Sequence, residues 1–178
     1  MPPETYPLEA LFRKTVRDSF VDTIELNDPE MIDYVTRVLC EFSDSKNLRH
    51  LDNTDGPFIE TIAGRLHAAD PVFGTAASFD EERSVRRSIG DYALFIAGMR
   101  LDVVESAPNY HADRAVVEEL IRIGRESYFI VSHFNMFEYE KESQLFARLA
   151  ESFDRCVLGI ALVRDELDDC RALGSMRI

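Results

Sequence analysis

Three groups of side chains in this chain have types and spacings that could do chemistry. Asp18 with Asp22, and Asp165 with Asp169, stand four residues apart in the two similar stretches VRDSFVD and VRDELDD. On a helix that spacing puts two carboxylates on one face. Two facing pairs of this kind can hold magnesium against a diphosphate, as in isoprenoid synthases. Like charges one turn apart cost only about a few tenths of a kcal/mol, however, so an acidic chain also acquires them on solvated helix faces.

Asp91 is the second candidate, because it interrupts the apolar run IGDYALFIAG. A carboxylate in such a setting must be paired or neutral. Arg87 lies one helical turn earlier, at a spacing that allows an ion pair. A satisfied pair is the expectation; the alternative is an acid or base with a raised pKa.

His133 is the third. At helical spacing its neighbours are Phe129, Ile130, Met136 and Phe137. Such a setting could hold a small molecule or a haem, which needs only one axial imidazole. It also describes a helix end packed into a core, with the imidazole bonded to a backbone carbonyl, and that bond is expected here. The candidate ligand-binding set is therefore His133, Tyr128, Asp91, Phe129 and Phe137.

Other chemistries lack their residues. No histidine has a glutamate three positions before it, as di-iron bundles require, and there is no Cys-x-x-Cys for zinc. There is no Gly-x-Ser-x-Gly elbow and no phosphate-binding glycine loop. No resident metal or cofactor is expected.

The elements that must position these residues are helical. Pro7 opens a first helix with Leu8, Leu11, Phe12, Val16 and Phe20 as its apolar side; Asp28 caps a second, with Met31, Val35, Val38 and Phe42 as its stripe. Gly56-Pro57 opens a third, carrying Phe58, Ile62, Leu66 and Ala69, after the polar interval SDSKNLRHLDNTDG, which is expected to be a mobile loop. Ser78 and Glu81 have capping-box spacing for a fourth, apolar on all sides from Tyr92 to Met99. In it Gly98 fits either a close helix approach or a C-terminal stop. Pro108 and Asn109 start a fifth, with Val117, Leu120, Gly124, Tyr128 and Val131 as its core face. The last runs unbroken through Leu145, Leu149, Phe153, Cys156, Ile160, Val163 and Leu167. The expected fold is all-α, one helical bundle of about six helices, with residues 1–6 and 171–178 frayed.

At 178 residues the chain suits one domain with a substantial core. A net charge of −13 repels phosphate backbones and anionic lipid surfaces, which argues against nucleic acid or a membrane as partner. Three cysteines without close pairing, no basic-then-apolar leader and no apolar run of membrane-spanning length together read as cytoplasmic.

The segments IGDYALFIAG, IGRESY and LFARLAESF together resemble a pattern in uncharacterised all-helical bacterial proteins, across roughly the C-terminal half. In these, a Gly-Asp-x-x-Leu segment precedes a Gly-x-x-x-Tyr segment. The resemblance implies one structural unit of Asp91, Gly98, Gly124 and Tyr128, with Gly124 admitting the fourth helix and the Tyr128 hydroxyl bonding Asp91. It implies no reaction. By elimination the expected function is a non-enzymatic scaffold or interaction module that self-associates, as a homodimer or with another protein partner. Ligand binding at His133 and a magnesium-dependent diphosphate enzyme are the alternatives.

Overall fold

A computed structural model describes residues 7–43, 78–101, 110–135 and 139–175. Among these residues there are six α-helices and no strand: the all-α bundle that the periodicity predicts. They are α1 (Pro7–Asp18), α2 (Pro29–Ser43), α3 (Phe79–Arg100), α4 (Tyr110–Ser132), α5 (Glu140–Glu151) and α6 (Phe153–Ser175). The helix expected from Pro57, the polar interval before it and Phe137 lie outside the described residues.

Local chemistry explains the starts. Asp28 Oδ1 accepts the amides of Glu30 and Met31 at 3.1 and 3.2 Å, and Ser78 Oγ accepts the Glu81 amide at 3.2 Å. Arg148 of α5 donates to Asp28 Oδ2 at 2.7 Å, so one aspartate both caps α2 and ties it to α5. The end of α1 widens into a π-turn over Ser19–Thr23, followed by Glu25 at φ 53°. This turn carries Phe20 into the core against Gly159.

α3 lies centrally, packed on α2, α4 and α6. Its stretch from Tyr92 to Gly98 is buried throughout. Gly98 sits inside the helix against Ile160, so the close approach decides its role and not a helix stop. The predicted α4 face, Val117, Leu120, Gly124, Tyr128 and Val131, is inward.

The last predicted helix is corrected. Its apolar stripe is buried as expected from Leu149 to Val163, but the helix breaks at Ser152 (φ −102°, ψ 20°) into α5 and α6. A stripe at steps of three and four survives one non-helical residue, so periodicity cannot reveal the break. α6 then runs on to Ser175.

Candidate functional site

The Asp91 carboxylate is the centre of a buried polar cluster. Tyr34 of α2 and Tyr128 of α4 both donate to its Oδ1, at 2.5 and 2.6 Å. The two rings are 2% and 0% exposed, so neither hydroxyl has water as an alternative partner. Asp91 itself is half-buried on α3. One carboxylate oxygen thus joins three helices.

The expected ion pair with Arg87 is not formed directly. Arg87 Nε donates instead to the Tyr34 hydroxyl at 3.3 Å, and its Nη1 lies 3.9 Å from Glu142 of α5. Arg83, one turn earlier and 7% exposed, bonds Glu142 and lies 4.0 Å over the Tyr139 ring. Phe146 packs edge-on to Tyr34 and tilted against Tyr128, at 5.3 and 5.2 Å between centroids. Arginine, tyrosine and phenylalanine therefore wall the carboxylate on the bundle side.

Burial pushes the Asp91 carboxyl up, against the downward pull of both hydroxyls and of Arg87. Burial, and then the Asp91 charge, also raises both phenols, which keeps them donors at neutral pH. The folded state therefore holds the phenol protons more tightly than the unfolded chain. Their contribution is complete below the unfolded tyrosine value of about 10 and is lost as pH climbs past it. Denaturation midpoints across the alkaline range should fall above that pH in the wild type and less steeply in Tyr34→Phe; equal slopes would contradict the assignment.

The cluster depends on glycine, though not on the one expected. A Cβ at Gly90 would lie 2.3 Å from Tyr128 Cε1, so Gly90 is what admits the Tyr128 ring beside Asp91. Gly124 does not admit α3; a Cβ there would lie 2.1 Å from Phe153 Cζ of α6. The Gly-Asp pair is a seat and an anchor for the same tyrosine.

His133 lies elsewhere. Its Nδ1 is 2.8 Å from the Phe129 carbonyl oxygen, the backbone bond expected from the sequence. A carbonyl can only accept, so Nδ1 carries a proton. The residue is exposed, however, and not packed into the core. Phe129, edge-on to it at 4.4 Å between centroids, is 55% exposed.

Two open grooves meet at Phe129 and His133. One, of about 1040 Å³, passes Ile121, Arg122, Arg125 and Ala147 between α4 and α5. The other, of about 570 Å³, is apolar and lined by Phe79, Ile130, Phe134 and Tyr139 as well, with Asp80 and Glu82 beside it. Neither groove is lined by Asp91 or Tyr128, so the structure splits the candidate set into an inner cluster and an outer face.

One member of each aspartate pair is engaged by a neighbouring cation. Lys14 meets Asp18 at 3.1 Å. Arg164 donates to Asp165 Oδ1, and also to the Met99 and Leu101 carbonyls at 2.9 and 3.1 Å, closing the C-terminus of α3. Asp22 and Asp169 are exposed. Among the described residues no three His, Cys, Asp or Glu side chains gather as a metal site. No described helix is long and apolar enough to cross a membrane. Cys156 is buried, with its thiol pushed up to about 12, and Cys40 is half-buried and raised by the same cause.

Comparison with protein families, with curated proteins and with solved structures returns no match. The class that fold and site define is an all-α bundle with an internal Tyr-Asp-Tyr clamp and an external aromatic groove. Sequence reasoning missed Tyr34, although a tyrosine between Met31 and Val38 on a buried stripe signals a hydroxyl in need of a partner. It also missed Phe79, an aromatic directly after the helix cap among charged residues.

Proposed function

We propose that this protein is a non-enzymatic interaction module whose binding face is the groove at Phe79, Phe129 and His133, with self-association through that face as its expected state. One observation carries this. Phe79 and Phe129 are 73% and 55% exposed, and they stand together on one apolar groove. Large aromatics grouped on a surface mark contact sites. The inner cluster supports a scaffold role, because its hydroxyls and arginine satisfy one another across α2, α3, α4 and α5.

A ligand centred on His133 is the second reading. It is favoured by the Nδ1–carbonyl bond, which fixes the ring and leaves Nε2 without a partner among the described residues. Sedimentation velocity over a concentration series tests the main reading. The wild type should show a concentration-dependent increase in mass that Phe79→Ser with Phe129→Ser removes, since both rings are too exposed for the fold to need them. A wild-type chain that stays monomeric at the highest concentration would count against it.

A further inference from the structure

The groove has aromatic walls and a negative rim, a pairing that selects for charge. Phe79, Phe129, Phe134 and Tyr139 supply ring surfaces. Asp80 and Glu82 stand beside them in the first turn of α3, and neither has a cation partner among the described residues.

The helix terminus does not neutralise them. It offers roughly half a positive charge, against the two carboxylates of Asp80 and Glu82. Arg83, next to Glu82 in the chain, is committed to Glu142 and to one face of Tyr139, and Arg86, one turn after Glu82, does not line the groove. That stacking shows the rim already holding a cation on an aromatic ring. The His133 ring, held by its Nδ1 bond to the Phe129 carbonyl, forms part of the groove wall. The ring faces and the carboxylates favour a cation, while the apolar lining favours a hydrocarbon body.

Resting on the reading that this groove is the binding face, we propose that it binds, in competition with a second copy of the chain, a small organic cation with an apolar chain, an alkyl- or arylammonium. The hydrocarbon lies along Phe129, Ile130 and Phe134. The ammonium stands over the ring faces near Asp80 and Glu82. Cation–π attraction and the carboxylates act on the same charge, and the chain's net −13 raises the local concentration of such ligands.

The test is calorimetric titration of the full chain with hexylammonium chloride, using hexanol and sodium hexanoate as isosteric neutral and anionic probes. Hexylammonium should bind about tenfold more tightly than hexanol, a difference of about 1.4 kcal/mol. Hexanoate should not bind. Asp80→Asn with Glu82→Gln should erase the preference for the amine, and Phe129→Ala should weaken both hexylammonium and hexanol. Circular dichroism would check that each variant keeps its helices. Equal binding of amine and alcohol would overturn the charge selectivity while leaving the groove a binding face. Absence of binding by either would overturn the proposal, and the sedimentation experiment would still decide the interaction reading by itself.

Discussion

Asp91→Ala should destabilise the protein by about 3 kcal/mol, and Asp91→Asn by less than about 1 kcal/mol. The alanine leaves two hydroxyls, on rings 2% and 0% exposed, without the oxygen they share. A buried donor stripped of its acceptor costs about 1–3 kcal/mol, and here there are two. Asparagine keeps an oxygen at the same place and removes a carboxylate whose burial is unfavourable.

Chemical denaturation at neutral pH measures both, and equal losses for the two variants would mean that the charge, and not the acceptor, matters. The pair also predicts a pH dependence. Because the folded carboxyl is raised, the folded state binds its proton more tightly than the unfolded chain, whose value is about 3.9. That contribution is full below the unfolded value and is lost as pH rises through the folded one. Wild type should therefore gain stability relative to Asp91→Asn as pH is lowered through that window. A gain in the opposite direction would show the hydroxyls and Arg87 outweighing burial.

The second large effect is expected at Gly90. Alanine in a helix interior normally stabilises by about 1 kcal/mol relative to glycine. At Gly90 the new methyl would stand 2.3 and 2.4 Å from Tyr128 Cε1 and Cδ1. The ring is fully buried, with Phe146 and Phe153 at 5.2 and 5.5 Å between centroids, so it has little room to retreat. Any retreat also lengthens the 2.6 Å bond to Asp91. Overpacking of about 1–3 kcal/mol, together with the strained hydrogen bond, outweighs the propensity gain.

The net expectation for Gly90→Ala is a loss of about 2 kcal/mol, read from the denaturation midpoint. A double-mutant cycle with Asp91→Asn should show coupling above about 0.5 kcal/mol, because both residues act on one tyrosine. An additive cycle would separate the seat from the anchor.

How much of this was readable follows from how far apart the interacting residues are. Caps at Asp28 and Ser78, the stripes of α2 and α4, and the His133 bond to the Phe129 carbonyl are relations of two to four residues, which helix geometry dictates. The Tyr128–Asp91 bond was also expected, from the resemblance of the motif and not from spacing. The partner Tyr34 was not, being 57 residues from Asp91 on a helix whose rotation only packing sets. Arg87 had the right spacing for Asp91 and turned to Tyr34, because the phenol and Glu142 lie across the helix contact.

The chain's local patterns therefore settle that it is helical, where most helices start and, Leu11 of α1 apart, which faces turn inward. Which glycine faces which ring, how three helices share one carboxylate oxygen, and that Phe79 meets Phe129 on an open groove are set by tertiary packing. Helical periodicity records whether a residue points inward; the side chain it meets there depends on the rotation and offset of a second helix, which no single helix encodes.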